Sequence, residues 1–210
     1  MSFGKRLKPV IIYIYVCFLR FYQVLQGMNQ SQLQKLILKK VNNMPKSKQK
    51  IFQPEQRAKE LLKERGVTIE DIAELVYFLQ NEYHDDLTME DCVENVEAVL
   101  KKREVQNAII TGIELDILAE KGLLSEPLQS IIKTDESLYG IDEIFAYSII
   151  NIYGSIGFTN YGYIDKMKPG ILKKLNDKSN GYVHTFLDDI VGAIAAAASS
   201  RLAHRSANVE

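Results

Sequence analysis

Residues 68–100 read TIEDIAELVYFLQNEYHDDLTMEDCVENVEAVL, and their pattern decides the fold. Thr68 stands three residues before Asp71, and Thr88 three before Asp91. A hydroxyl and a carboxylate at that spacing can cap a helix start from both sides, although the usual third residue is Glu or Gln. Behind the first pair Ile72, Leu75, Val76 and Leu79 recur at helical spacing, and behind the second Val93, Val96, Val99 and Leu100 do the same. The stretches Thr-Ile-Glu-Asp-Ile and Thr-Met-Glu-Asp-Cys resemble each other at a 20-residue offset. Two units are too few for a solenoid, so the repeat predicts a helical hairpin. A helix-turn-helix DNA reader has the same outline. Glu70, Asp71, Glu74, Glu90, Asp91, Glu94 and Glu97 would repel phosphate, which argues against nucleic acid as a ligand.

Outward from this hairpin the helical pattern continues. A helix is expected from about Glu104 to Lys121, closed by Gly122, with Val105, Ala108, Ile109, Ile113, Leu115 and Leu118 as its core side. A short helix follows around Pro127 to Lys133, then Asp135 and Glu136, read as solvated. Apolar stretches at Ile144 to Tyr153 and Ile190 to Ser199 supply two more helices. Between them Gly154, Gly157 and Gly162, mixed with Ser155, Thr159 and Asn160, predict a flexible polar loop. No stretch alternates convincingly as a strand. The expected fold is all-α: a single compact multi-helix bundle of about seven to nine helices over residues 54–210, with a basic N-terminal extension over residues 1–53.

That extension differs in charge from the rest. Residues 1–54 carry ten Lys or Arg and no Asp or Glu, leaving sixteen of the 26 basic side chains against all 27 acidic ones beyond them. A basic arm on an acidic body suits an anionic surface. Val10 to Leu19 is an unbroken apolar or aromatic run of ten residues between Lys8 and Arg20. A spanning helix needs ~20 such residues. Residues 1–27 read as a misassigned start before Met28, a weak membrane anchor or an interfacial segment. Cys17 and Cys92 form neither a zinc signature nor a disulfide framework, and the default compartment is cytoplasmic. Of 210 residues 46% are hydrophobic, ample for one core.

The charged residues that no helix face explains lie between Tyr163 and Gly192. Asp165, Lys166, Lys168 and Pro169 follow the glycine-rich stretch, and the pair Asp188 and Asp189 opens an apolar, small-residue helix. Carboxylates at a helix start are favoured in their ionised form, and one of the two could serve only as a cap. A second pair, Asp142 and Glu143, opens the preceding apolar stretch. With Asp165 the two pairs offer three or four oxygen donors, the donor type that Mg²⁺ or another divalent cation takes when shared with a phosphate. Lys166 and Lys168 are the phosphate-binding candidates. His184, four residues before Asp188, could be a ligand, a general acid or a cap.

These residues resemble the phosphatidylglycerophosphatase A family, most closely its soluble Gram-positive branch, which includes the low-temperature requirement C proteins. The matched positions are Asp142-Glu143, then Asp165, Lys168 and Pro169, then Gly181, and finally Asp188-Asp189 with Gly192. The chain departs from the family pattern at Gly170-Ile171, where a second proline is missing, and at Asn176, which stands at a further aspartate position beside Asp177. The family's N-terminal Pro-Gly-Thr-x-Gly signature has no counterpart. The resemblance implies a metal-dependent phosphatase that converts phosphatidylglycerophosphate to phosphatidylglycerol at an anionic membrane surface. It would be peripheral at the inner face of the cell membrane and could be oligomeric. Asp142, Glu143, Asp165, Asp188 and Asp189 would hold the metal, and Asp165, Lys166, Lys168 and Asp189 would act on the phosphate. Two other functions use the same carboxylates: a soluble all-α Mg²⁺-dependent nucleotide phosphohydrolase, and a non-catalytic metal-binding stress-adaptation protein.

Overall fold

In a computed structural model, which describes residues 53–206, the last helix is the axle of the fold. Ile190 to Ser200 are buried at every position, so this helix has no solvent face over three turns. A helix that is wrapped on all sides must be surrounded by other elements, and these come from among eight further α-helices. In chain order they are α1 (Pro54–Glu64), α2 (Ile69–Gln80), α3 (Met89–Leu100), α4 (Arg103–Glu120), α5 (Leu128–Thr134), α6 (Ile141–Ile150), α7 (Gly154–Met167) and α8 (Ile171–Leu175). The axle is α9 (Leu187–Ser206). Short 3₁₀ turns lie at Asn151–Tyr153 and Lys178–Asn180, and no strand occurs among the described residues. The all-α expectation holds. The basic extension, including the Val10 to Leu19 run and Met28, lies outside the described residues.

Helices α2, α3, α4, α6 and α7 all pack on α9. The run Ala193 to Ala198 gives them small side chains to approach, while Ile190, Val191 and Ile194 fill the space between. The hairpin of α2 and α3 forms as its sequence dictates. Thr68 accepts from the Asp71 backbone N–H at 3.0 Å while Asp71 accepts from the Thr68 N–H at 2.8 Å. Thr88 and Asp91 repeat the exchange at 3.2 Å in both directions. Aspartate therefore completes the reciprocal cap as well as glutamate would.

The glycine-rich stretch is not a loop. Residues 154–167 are the helix α7, which packs on α9. Glycine is used there for proximity: a Cβ on Gly157 would stand 2.8 Å from Ile150 Cγ2. Only Gly154, at φ +73°, needs a conformation that other residues avoid, and it sits at the start of the helix. Among the described residues no helix is long and apolar enough to cross a membrane.

Candidate active site

The C-terminal end of α7 meets the first turn of α9. There α7 stops at Lys168, whose backbone is left-handed at φ +43°, and Pro169 prevents the helix from continuing. A non-glycine residue in that conformation carries strain that its surroundings must hold in place. Here the surroundings are three carboxylates. Lys168 Nζ lies 2.6 Å from Asp165 Oδ1, 3.0 Å from Asp188 Oδ2 and 4.0 Å from Asp189 Oδ1. The sequence separates these groups by up to 24 residues, and the fold gathers them around one ammonium.

Three carboxyl groups share one ammonium, and the imbalance appears in their acidities. Burial, reinforced by the charge of Asp188, pushes the Asp189 carboxyl up to about 8 against the opposing pull of Lys168. Asp188 is also raised, first by burial, while Lys168 and Asn176 favour its ionised form. Burial alone would lower the pKa of the Lys168 ammonium, but Asp188 and Asp165 outweigh it and raise the value. Asn176 Nδ2 donates to Asp188 Oδ2 at 2.9 Å, so the residue that departs from the family's aspartate position is part of the cluster. Its neighbour Asp177 instead faces solvent and caps the following turn through the Ser179 N–H at 2.9 Å.

Neither Asp188 nor Asp189 is the cap of α9. That acceptor is Asp116, fully buried in α4, which takes the N–H groups of Phe186 at 3.1 Å and Leu187 at 3.1 Å. Burial raises its pKa well above the ordinary carboxylate range, and these two N–H bonds act against that. Because α4 supplies the cap, both aspartates of α9 are left for other work. The loop before α9 is held from α1: Arg65 donates to the Val183 carbonyl at 2.7 Å, pairs with Glu120 at 2.5 Å and lies over the Tyr182 ring at 4.9 Å. Glu120 accepts from the Val183 N–H at 2.9 Å, which completes the clamp.

The other sequence candidates are placed less centrally. Asp142 and Glu143 sit in the first turn of α6, and Asp142 accepts from the Glu143 N–H at 2.9 Å. Neither makes a hydrogen bond or ion pair with the Lys168 cluster, although the charges of Glu143, Asp165 and Asp189 all add to what burial does in raising the Tyr147 phenol. Lys166 is exposed near the end of α7, outside the group that surrounds Lys168. Asp135 is not merely solvated: it pairs with Lys178 at 3.0 Å, and its charge is felt by Asp188. Tyr161 is buried beside Asp189 but outside hydrogen-bond geometry, and burial raises its phenol strongly. Cys92, whose thiol burial pushes up to about 11, is a packing residue. Among the described residues no three His, Cys, Asp or Glu side chains surround a point that a metal ion could take, because the Lys168 ammonium holds the middle of the acidic group. The donor chemistry nonetheless fits a hard divalent cation: all three groups are carboxylates, and one ammonium leaves their charge incompletely offset.

The family model for phosphatidylglycerophosphatase A matches residues 61–204, from the last turn of α1 to the last turn of α9. The chain belongs to the phosphatidylglycerophosphatase A family. Its similarity extends to the Bacillus subtilis (strain 168) protein YutG, itself uncharacterized, at 70% identity over 158 residues, 75% of this chain and 95% of that one. The low temperature requirement C protein from Listeria monocytogenes is 66% identical, with a TM-score of 0.73, covering 75% of this chain and 99% of that structure. A protein of unknown function from Bacillus stearothermophilus is 74% identical, with a TM-score of 0.72, over 72% of this chain and 94% of that structure. In this phosphatidylglycerophosphatase A family member the motif residues Asp165, Lys168, Asp188 and Asp189 form one cluster, while Asp142 and Glu143 form a separate group on α6.

Proposed function

We propose that the chain hydrolyses the terminal phosphate of phosphatidylglycerophosphate, releasing inorganic phosphate and phosphatidylglycerol. The observation that supports this reading most is the convergence of Asp165, Asp188 and Asp189 on Lys168 at the meeting of α7 and α9. Asp165 and Asp188 would hold Mg²⁺ or another divalent cation, with Asp142 and Glu143 on the α6 side contributing further oxygen donors and Asp189 beside them kept protonated as the acid. When bound, the cation would polarise the phosphoryl group and lower the pKa of a coordinated water. The protein's own residues account for the rest. Lys168 and Lys166 offset charge on the phosphate oxygens, Lys168 moving from its carboxylate partners to the substrate. Asp189, which holds its proton up to about pH 8, can give that proton to the departing alcohol oxygen as the P–O bond breaks. Water supplies the oxygen of the released phosphate.

The substrate places the reaction at the inner surface of the cell membrane, where a chain without a spanning helix among its described residues would bind peripherally. The test is phosphate release from phosphatidylglycerophosphate in mixed micelles, with and without Mg²⁺, by the full chain and its Asp189→Asn variant. Mg²⁺-dependent release that the substitution reduces by at least a hundredfold is the expected result, in line with the contribution of a positioned acid. A folded protein that releases no phosphate from this lipid overturns the reading. Release from nucleoside phosphates instead would identify a nucleotide phosphohydrolase.

A further inference from the structure

A cavity of about 200 Å³ opens beside the cluster, and Asp188 forms part of its wall. Around it stand Lys133, Asp135, Asn176, Lys178 and His184. The chemistry at Lys168 uses none of these except through Asp188 and Asn176. Three features of the wall define what it can hold.

The first is a fixed hydrogen-bond acceptor. His184 Nδ1 lies 2.9 Å from the Leu175 carbonyl oxygen, which can only accept, so Nδ1 carries the ring proton. In the neutral ring that leaves Nε2 without a proton. Nε2 is then an acceptor, suited to a hydroxyl donor. The second feature is charge. Lys178 is matched by Asp135 at 3.0 Å and by the Thr134 carbonyl at 3.3 Å, and Asp188 shares Lys168 with Asp165 and Asp189. Lys133, near the end of α5, makes no ion pair among the described residues, so its ammonium is open to an anionic ligand. The third is size: a space of about 200 Å³ equals roughly seven waters at about 30 Å³ each, enough for a three-carbon alcohol and one phosphate.

We infer that this cavity seats the part of the head group that is not hydrolysed, the inner glycerol and its phosphodiester. The inference rests on the phosphatase reading above. The free secondary hydroxyl of that glycerol donates to His184 Nε2, and the single negative charge of the diester faces Lys133. The terminal phosphate then lies at the Asp188 side, where the cavity and the carboxylate cluster share a wall. A monoester attached directly to diacylglycerol has neither group to offer, so the cavity selects for the longer head group.

The experiment compares kcat/KM for phosphatidylglycerophosphate and for phosphatidate in the same mixed micelles. Lys133→Met should lower the ratio of the two about tenfold, through KM, as expected for one lost charge-assisted contact. Lys63→Met, an exposed lysine of α1, controls for general attraction to anionic micelles and should leave the ratio in place. In parallel, glycerophosphoglycerol is titrated into the metal-free protein by calorimetry, where Lys133→Met should weaken binding about tenfold. An unchanged ratio overturns the inference. If the wild-type protein turns over neither lipid, the phosphatase reading fails on its own. The titration then decides the cavity, and an absence of Lys133-dependent binding overturns it.

Discussion

Asp189 is the residue whose environment is most at odds with its chemistry. Its carboxyl moves from the ordinary 3.8 to about 8, through burial first and the Asp188 charge second. Between about pH 4 and 8 the folded chain keeps a proton that the unfolded chain has lost, so the contribution of this group to stability falls as pH rises and levels off above about 8. In metal-free buffer Asp189→Asn should therefore gain on the wild type as pH is raised from 5 to 8. Thermal melts at several pH values check this, and parallel curves would contradict it. The acidity of Asp189 was not legible in the sequence. Its presence was, because two adjacent carboxylates at the head of an apolar helix are unusual. Tyr161, buried beside it, is offered by the sequence only as one more tyrosine in a glycine-rich stretch.

At the scale of the element, α9 is positioned by groups far from it in sequence. Asp116→Ala would leave the N–H groups of Phe186 and Leu187 buried without an acceptor and should cost about 3 kcal/mol. Asp116→Asn, which keeps an acceptor oxygen, should cost less; urea denaturation of the two variants distinguishes them. Glycines give a second contrast. A Cβ on Gly112 of α4 would stand 2.4 Å from Ile190 Cδ1 and 3.0 Å from Phe186 Cβ, so Gly112→Ala should destabilise by about 1–3 kcal/mol. On Gly192 a Cβ would meet Tyr161 Cε2 at 3.5 Å, an ordinary contact. Gly192→Ala should then be tolerated and gain up to about 1 kcal/mol of helix propensity. The capping boxes of α2 and α3 could be read from the sequence because a cap is a matter of three residues. Asp116 could not, since it looks like any acid in an amphipathic helix and its partners lie 70 residues on. The helix α7 was missed for a related reason: glycine reads as a breaker, and α7 is maintained by packing against α9, which the sequence does not display.

For the whole molecule, the acidic cluster ties ligand binding to folding. A divalent cation that binds the folded chain alone raises its stability by RT ln(1 + [L]/Kd), about 2.7 kcal/mol at a hundredfold excess over Kd. Mg²⁺ should raise the melting temperature of the wild type and have little effect on an Asp188→Asn, Asp189→Asn double variant, as scanning calorimetry can show. The architecture was legible as all-α because apolar spacing carries that information locally. Which helix lies at the centre became visible only in three dimensions, through the complete burial of Ile190 to Ser200. That arrangement bears on how the molecule is made. Chains emerge from the ribosome N-terminus first. The helices that pack on α9 are therefore synthesised before it, and until it arrives the faces they turn toward it lack that partner. The nascent chain must stay soluble with an open middle, and the candidate site is assembled only when the last helix is threaded home.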